Sequence, residues 1–314
     1  MEYKTTKTYL DTIPFETRGR AVALGYFDGV HEGHAELIRK MVKAAKQMGI
    51  RSTVQTFTGF TRKDKKCLTT IEEKLAILSD LGVDEMLVIR FDEDFRNTSA
   101  EDFYINILRN TLNSKVLFAG DDYRFGKDAA GDPSTLRQYA SSDGIAVKIV
   151  PQITLEGYDR RISSTWMREA LAEGDVGIIS RMCGGRPFSY SGRVIEGKKL
   201  GRQLGFPTIN LIVPSEKAVA RRGVYVSRIT IGSRVLFGVS NIGRRPTVDD
   251  DGEDILETYI FDFDEDVYGA SVRVDLLSFL RPEEKFPSKE ELVSAIEENK
   301  KQAKKYLSDS GIIV

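Results

Sequence analysis

The only two histidines of this 314-residue chain, His31 and His34, lie three positions apart. They close the segment 25–34, whose sequence is GYFDGVHEGH. Imidazoles at positions i and i+3 can reach one face of a turn, donate hydrogen bonds to phosphate oxygens and stabilise charge that develops in a transition state. The spacing therefore points to phosphate chemistry, such as attack on an α-phosphate with pyrophosphate leaving.

A solvated surface loop and a metal site are the two other interpretations of this histidine pair. Zinc needs further ligands, and no cysteine lies near the pair in sequence. Cys67 and Cys183 are far apart and have no metal-ligand or redox spacing, which favours reduced, buried or incidental thiols. The residues by themselves leave the surface loop and the phosphate site open.

The elements around the pair predict a doubly wound α/β domain. Segment 21–24 predicts a buried strand, and segment 35–48 predicts a helix with Gly49 as its C-cap. Further strands are expected at 52–57, 86–91, 115–119 and 146–150, and helices at 71–81, 100–110 and around Leu136. Alternating strands and helices imply a parallel sheet, whose carboxyl edge binds ligands. There Gly25 and Gly29 let the backbone approach phosphates, and the helix beginning near His34 offers free N–H groups.

The second half of the chain has a different pattern, which begins near Pro187 after a helical segment at 165–182. Short β-rich runs are expected at 190–196, 223–231, 234–241, 257–263 and 270–280. Their close spacing predicts an antiparallel barrel or sandwich, followed by an amphipathic helix at 290–307. The candidate inward positions of that helix are Leu292, Ile296, Ala303 and Tyr306. We expect two domains, 1–184 and 185–314.

Charge and hydropathy limit the classes of partner. The chain carries 46 basic and 47 acidic side chains, for a net charge of −1. This balance gives no electrostatic argument for binding nucleic acid or a membrane. No apolar run approaches the roughly 18 residues that would span a bilayer, and we expect a cytoplasmic protein.

A second candidate site lies in the glycine-containing segment 191–210, SGRVIEGKKLGRQLGFPTIN. A strand, a flexible glycine loop and a return into the next strand would also give this pattern. The chain has no GxxxxGK[ST] segment, so ATP would be held by another design. Thr208 and Asn210 alternate along an extended stretch, so their oxygens point to the same side, which suits Mg²⁺ held together with nucleotide phosphates.

Motif segments along nearly the whole chain resemble, in the same order, those of the bacterial bifunctional riboflavin kinase/FMN adenylyltransferases, also called FAD synthetases. Segment 25–34 is similar to GxFDGVHxGH, 120–126 (GDDYRFG) to GxDFxFG, and 162–168 (ISSTWMR) to ISSTxIR. Segment 192–210 resembles GxVxxGxxxGRxLGFPTAN, 241–247 (NIGRRPT) resembles NIGxRPT, and 257–269 (ETYIFDFDEDVYG) resembles ExHxxDFxxDLYG. Segment 280–286 (LRPEEKF) is similar to the stretch that leads into the family's C-terminal helix.

For the first domain, the resemblance implies a Rossmann-like nucleotidyltransferase that adenylates FMN with ATP, giving FAD and pyrophosphate. His31 and His34 are then expected to contact ATP phosphates. The nucleotide site is expected to include Gly25, Phe27, Asp28 and Gly29, and Ser164, Thr165 and Arg168 to help hold the triphosphate. Asp122 would lie at the flavin or nucleotide pocket. Residues 163–165 also suit a helix N-cap, with Arg168 in the first turn.

For the second domain, the resemblance implies an antiparallel β-barrel riboflavin kinase that phosphorylates riboflavin to FMN. Glu257 is expected to accept the proton of the ribityl 5′-hydroxyl as it attacks the γ-phosphate, while Thr208 and Asn210 coordinate Mg²⁺. The ATP site is expected to include Gly197, Gly201, Arg202 and Gly205, and the flavin side Asn241 and Arg281. Each active site would use Mg²⁺, and the implied small-molecule partners are ATP, riboflavin, FMN and FAD.

The chain departs from the family pattern at three places. After the second predicted strand the family has Phe-x-Pro-His-Pro, where segment 57–61 reads FTGFT. Tyr259 replaces a histidine, and Asn299 stands where an aspartate is common. Two alternatives follow: a riboflavin kinase that has lost adenylyl transfer, or a flavin-binding regulator that uses both pockets as sensors.

Overall fold

The computed structural model describes residues 2–5, 18–59, 66–197, 201, 205–245 and 252–312. The chain divides into two compact units, Met1–Ser164 and Thr165–Val314. The domain boundary expected at 184/185 lies about 20 residues beyond this division and stays a prediction. Each unit is described below by itself.

The first unit contains a parallel sheet with the strand order β1-β4-β3-β2-β5-β6 over the described residues. The strands are β1 (Glu2–Thr5), β2 (Arg20–Leu24), β3 (Arg51–Thr58), β4 (Glu85–Arg90), β5 (Ser114–Gly120) and β6 (Ala146–Val150). The chain runs outward from β2 through β3 to β4 and then returns to β5 on the other side of β2. The predicted parallel α/β domain is confirmed, and β1 adds a strand that the sequence pattern does not predict.

Over the described residues, the α-helices of the first unit are α1 (Glu32–Met48), α2 (Ile71–Asp80), α3 (Glu93–Arg96), α4 (Ala100–Asp102) and α5 (Pro133–Ser142). The expected start of α1 near His34 is two residues too late, because His31 caps the helix and Glu32 opens it. The prediction of Gly49 as its C-cap is confirmed by a left-handed φ of 64°. The helix expected at 100–110 is instead α4 followed by a π-helical segment, Phe103–Thr111.

Both faces of the central strand β2 are buried, as in a parallel sheet that helices cover. Along β2, Ala21 and Ala23 pack in the cluster that contains the apolar side chains of α1, such as Ile38. Val22 and Leu24 pack on the opposite face. Small and large apolar residues therefore alternate by face along β2 from Ala21 to Leu24.

The second unit contains an antiparallel sheet with the order β7-β12-β9-β10-β11-β8 over the described residues. Its strands are β7 (Phe188–Arg193), β8 (Thr208–Ile212), β9 (Gly223–Ile231), β10 (Arg234–Arg245), β11 (Glu253–Ile260) and β12 (Ser271–Pro282). An antiparallel β-bridge links Ile195, just after β7, to Asn210 on β8, so the first and last strands of this order are joined. In this bridge the Ile195 N–H donates to the Asn210 carbonyl, with an N to O distance of 2.9 Å. The predicted antiparallel barrel is confirmed, and β8 is the extended stretch that carries Thr208 and Asn210.

Over the described residues, the second unit contains the helices α6 (Ser164–Glu173), α7 (Val176–Met182) and α8 (Lys289–Asp309). The single helical segment expected at 165–182 is wrong, since Gly174, with a φ of 83°, separates α6 from α7. Of the inward positions expected on α8, Ala303 is fully buried. Leu292 and Ile296 instead line a cavity described below, so these apolar side chains are available to a ligand.

Cys67 and Cys183 are buried free thiols, as predicted. Among the residues that the structure describes, no helix combines the length and apolarity needed to cross a membrane.

Candidate active sites in the two units

The histidine pair lies at the topological switch point of the parallel sheet. The loop that carries it follows β2, and the segment with Asp122 follows β5, the neighbouring parallel strand. Neighbouring parallel strands end at the same edge, so both loops occupy the position where open α/β folds bind ligands. Asp122 is exposed there, and its expected place at the flavin or nucleotide pocket stays a prediction.

His31 is held by the helix that it opens. Its Nδ1 atom accepts the backbone N–H of His34 over 3.3 Å and thereby caps α1. A neutral imidazole that accepts at Nδ1 carries its proton on Nε2, which leaves an Nε2–H donor. A Cβ at Gly33 would come within 3.2 Å of the His31 ring, so the glycine of the HEGH segment makes room for this conformation.

His34 stacks on His31 with ring centres 3.6 Å apart, and Phe27 meets it edge-on at 5.2 Å. Burial, with smaller effects from His31 and Lys74, holds the pKa of the His34 imidazole well below its usual value of 6.5. His34 is therefore neutral at pH 7. Its Nδ1 atom is buried and has no hydrogen-bond partner among the described residues.

The loop between β2 and α1 has a constrained backbone. Phe27 and Val30 have φ values of 50° and 41°, a left-handed region that is unfavourable for residues with a Cβ, at a cost of about 1–3 kcal/mol each. Gly29 has a φ of 81°. The surrounding structure must hold this conformation, and such strain clusters at functional sites.

Asp28 is one of the groups that hold the loop. Its carboxylate accepts the backbone N–H groups of Leu68 (2.8 Å) and Thr69 (3.2 Å), and its carbonyl accepts the Ser164 hydroxyl (2.8 Å). The Gly29 N–H donates to the Thr69 hydroxyl over 3.1 Å. These contacts give Asp28 and Ser164 a structural role, and their expected roles in ATP binding stay predictions.

Thr165 and Arg168 lie on the first turns of α6, directly after Ser164. Their expected contact with the triphosphate stays a prediction. Gly25 precedes the loop, and a Cβ there would lie 3.0 Å from the Phe27 ring, so the glycine accommodates this buried aromatic side chain.

Part of the segment that departs from the family pattern after β3 is described. Phe57 belongs to an aromatic cluster with Phe91 and Phe95, with ring centres 5.4 to 5.6 Å from its own. The Gly59 carbonyl accepts the Tyr26 hydroxyl over 2.8 Å, which ties this segment to the loop after β2. Phe60 and Thr61 lie outside the described residues.

In the barrel, strand register places three polar side chains in a row. Glu257 on β11 pairs with Asn210 on β8 on one side and with Asn241 on β10 on the other. Thr208 is opposite Tyr259, two residues along each strand and hence on the same face as Asn210 and Glu257. Directly paired side chains lie about 5 Å apart. The register thus brings together the residues expected for metal binding, proton transfer and flavin binding.

Two cavities meet at this row. The first has a volume of about 240 Å³, and its lining includes Gly197, Asn210 and Arg244. The second, of about 540 Å³, is lined largely by apolar and aromatic side chains, including Leu292 and Ile296 of α8. Three residues line both cavities: Asn241, Glu257 and Glu283. A group bound in one cavity therefore meets a group bound in the other beside the Glu257 carboxylate.

The glycines of segment 191–210 have different local environments. A Cβ at Gly197 would overlap the Asn210 carboxamide, and a Cβ at Gly201 would overlap the Phe206 carbonyl. Gly205 has a φ of 84°, which favours glycine. Arg202 lies outside the described residues.

Because a Cβ at position 197 would overlap the Asn210 carboxamide, we expect Gly197→Ala to lower the rate of any reaction that depends on Asn210. Displacing the carboxamide by a fraction of an ångström to 1 Å should cost about 10-fold or more in kcat/KM for ATP. Gly192→Ala is the matched control, since its Cβ would meet only Leu211 at 3.8 Å, an ordinary contact. Equal kinetics for the two variants, measured with ATP as the varied substrate, would contradict the overlap.

Aromatic side chains that line the larger cavity take part in cation–aromatic contacts. The Arg281 guanidinium lies 5.2 Å from the centre of the Phe286 ring, and its Nε donates to the Asn299 side chain over 3.2 Å. Lys300 Nζ lies 5.1 Å from the Phe206 ring and 5.4 Å from the Tyr259 ring. Arg281, expected on the flavin side, does line this cavity.

Glu283 is a cavity residue that the sequence pattern does not single out. Its carboxylate approaches Gly243 so closely that a Cβ there would come within 2.8 Å of Oε1. The sequence feature that could have identified Glu283 is its position two residues after Arg281. Both residues lie in segment 280–286, which is similar to the family's stretch before the C-terminal helix. Only the fold shows that this segment passes between the two cavities.

Imidazoles at the switch point of a parallel sheet, together with a carboxylate between two cavities of a barrel, correspond to nucleotide-dependent transferases. The family model for FAD synthetase matches residues 14–166, and the model for riboflavin kinase matches residues 184–307. The chain therefore belongs to the bifunctional riboflavin kinase/FMN adenylyltransferase family.

Individual relatives agree with this membership. Bifunctional riboflavin kinase/FMN adenylyltransferases from Pseudomonas fluorescens (36% identity, 90% of this chain and 91% of the relative) and Escherichia coli K12 (35%, 92% and 93%) align along almost their whole length. The relative from Bacillus subtilis is 34% identical over 92% of each chain. A crystal structure described as a macrolide-efflux protein from Streptococcus pneumoniae is 31% identical, with a TM-score of 0.82 over 95% of this chain and 98% of that one.

Proposed function

We propose that the chain catalyses both reactions for which its family is named. The barrel phosphorylates riboflavin with ATP to give FMN, and the parallel α/β unit adenylates FMN with ATP to give FAD and pyrophosphate. The observation that supports the assignment most strongly is the row Asn210-Glu257-Asn241 between two cavities. Location in the cytoplasm stays a prediction from the sequence.

In the kinase reaction, riboflavin occupies the larger cavity and the triphosphate end of ATP reaches the smaller one. The larger cavity has the size of a small-molecule site and offers aromatic and apolar walls to the flat isoalloxazine ring. The ribityl 5′-hydroxyl then lies at the junction, where Glu257 accepts its proton as the oxygen attacks the γ-phosphorus. Asn241, which lines both cavities beside Glu257, is placed to orient the ribityl chain by hydrogen bonds.

The donor set on β8 fits magnesium. Thr208 and Asn210 present a hydroxyl and a carboxamide on one face of the strand, and Mg²⁺ prefers oxygen ligands shared with substrate phosphates. Bound there, Mg²⁺ would neutralise charge on the β- and γ-phosphates. Asn210 is only 5% exposed, so its position is fixed by packing before any ligand arrives.

We expect Thr208→Val to raise the Mg²⁺ concentration that gives half the maximal rate of riboflavin phosphorylation by about 10-fold or more. Valine keeps the shape of threonine and removes the oxygen. Thr208→Ser, which keeps the hydroxyl, is the control and should remain near wild type. An unchanged magnesium dependence in the valine variant would exclude Thr208 as a ligand.

In the adenylyl transfer reaction, the FMN phosphate attacks the α-phosphorus of ATP. His31 offers an Nε2–H donor, and the neutral His34 stacks against it at the N-terminus of α1. Backbone N–H groups of the first helical turn add a positive dipole end toward the phosphates. These groups stabilise the charge that moves onto the departing pyrophosphate.

One experiment separates the two reactions. The full chain is supplied either with riboflavin and MgATP, with FMN formation measured, or with FMN and MgATP, with FAD and pyrophosphate measured. We expect turnover in both assays. FMN formation without FAD would identify a kinase that has lost adenylyl transfer, and flavin binding without any turnover would identify a sensor.

A further inference from the structure

A buried lysine lies beneath the loop that carries the histidine pair. Lys74 on α2 is 1% exposed, and its ammonium donates to the Tyr26 carbonyl over 2.7 Å and to the Thr56 hydroxyl over 3.0 Å. The same ammonium lies 4.9 Å from the centre of the Tyr26 ring. Lys74 therefore joins α2 to the end of β3 and to the first residues of the loop after β2.

The position of Lys74 is fixed from its own helix. A capping box formed by Thr70 and Glu73 defines the start of α2, one turn before Lys74. The Thr56 hydroxyl also donates to the Tyr26 carbonyl, over 2.7 Å. Two donors thus converge on the carbonyl that immediately precedes the strained residue Phe27. The loop conformation depends on this anchor.

Burying this charge is unfavourable. Burial lowers the pKa of Lys74 to about 8, although Asp28 and, to a smaller degree, Cys67 favour its charged form. Replacing a buried charged group together with its partner by apolar side chains is often neutral or stabilising. A residue needed only for packing at this position would be apolar, so the charge points to a role in the nearby site.

The charge also acts on the histidine pair. Lys74 is one of the groups that disfavour protonation of His34, after burial and His31. The titratable groups that interact electrostatically with Lys74 are therefore Asp28, Cys67 and His34. Asp28 lies in the loop after β2, Cys67 lies in the segment before α2, and His34 lies on α1. Tyr26, whose ring it also approaches, uses its hydroxyl to bind the Gly59 carbonyl.

We propose that Lys74 is a positioning residue for adenylyl transfer: its ammonium fixes the Tyr26 carbonyl, and with it the loop to His31. This inference rests on the proposed role of the histidine pair. Lys74 itself does not touch substrate. Its effect should therefore appear in the rate of FAD formation and in the titration of His34, and should be absent from the kinase reaction of the barrel.

The first test is Lys74→Met. We expect the rate of FAD formation from FMN and MgATP to fall by about 10- to 100-fold, the effect of misplacing a reacting group, while riboflavin phosphorylation by the same protein stays at the wild-type rate. The midpoint of thermal unfolding is measured for both variants, and the Tyr26 carbonyl of Lys74→Met keeps the Thr56 hydroxyl as a donor. Lys43→Met removes an exposed lysine of α1 and is the control for charge alone.

The pH profile distinguishes positioning by the charge from a packing role. In the wild type, FAD formation should decline as the pH rises through about 8, because the ammonium loses its proton. In Lys74→Met this decline should be absent. A wild-type profile that is flat through this range, or equal profiles in the two proteins, would overturn the proposal.

Nuclear magnetic resonance provides a readout that does not depend on activity. Because the chain has only His31 and His34, an imidazole-selective spectrum contains the signals of two residues. We expect the pKa of His34 to be higher in Lys74→Met than in the wild type. Unchanged titration together with unchanged FAD formation would refute the inference about Lys74, whereas a wild type that makes no FAD would refute the proposed adenylyl transfer itself.

Discussion

Replacing Glu257 with glutamine is expected to lower the rate of riboflavin phosphorylation by about 10²–10⁴-fold and to leave FAD formation from supplied FMN unchanged. Glutamine has nearly the same shape and can still form hydrogen bonds, but it does not accept a proton. The pairing of Glu257 with Asn210 and Asn241 should survive, since backbone register fixes it. The loss should therefore fall on kcat, with KM for riboflavin little changed.

The control for this variant is Glu253→Gln, which removes an exposed carboxylate from the same strand, outside both cavities. It should phosphorylate riboflavin at the wild-type rate. The measurements are initial rates of FMN formation and flavin binding by fluorescence. If Glu257→Gln kept full activity, another group would have to accept the proton, and Glu283, which lines both cavities, would be the next carboxylate to replace.

In the kinase site, the sequence predicts which residues share a strand face but does not predict which residues pair across strands. The alternation of Thr208 and Asn210 predicts that they share a face, and β8 confirms this. The placement of Glu257 opposite Asn210 depends on cross-strand register between segments 47 residues apart, which no local pattern encodes. The family resemblance supplied the three residues, and the barrel shows why they act together.

Helix α8 shows a second limit of prediction from the sequence. Its period predicts one apolar face, and Leu292, Ile296 and Ala303 were all expected to point into a core. Only the later part of that face packs on the barrel, where Ala303 and Leu307 are fully buried. The earlier part borders the larger cavity. Periodicity identifies an apolar face but does not say whether protein or ligand covers it.

Two residues of the first unit occupy positions that are unusual for their type: His31 caps a helix, and Lys74 is fully buried. Histidine is not among the preferred N-cap residues, so sequence reasoning placed the start of α1 too late. Lysine is almost never fully buried, so Lys74 had no reason to stand out in the segment IEEKLAIL. Both exceptions occur within the candidate nucleotide site, where function rather than stability sets the residue type.

The second large effect is expected from His31→Asn, which should lower the rate of FAD formation by about 10²–10³-fold, the usual effect of removing one donor to developing charge. Asparagine is among the best N-cap residues, so α1 should keep its start while the Nε2–H donor is lost. The decisive measurement is the rate of pyrophosphate release with FMN and MgATP. Riboflavin phosphorylation in the barrel should not change.

His31→Ala is the matched variant, because it removes the donor and the cap together. It should lose a similar factor in FAD formation and, in addition, about 1 kcal/mol of stability. The comparison separates the two roles of one imidazole: Nδ1, which accepts the His34 N–H over 3.3 Å, shapes the helix, and Nε2 acts on phosphate. Wild-type FAD formation by the asparagine variant would leave His31 with the capping role alone and would transfer the phosphate role to His34, whose buried Nδ1 has no partner among the described residues.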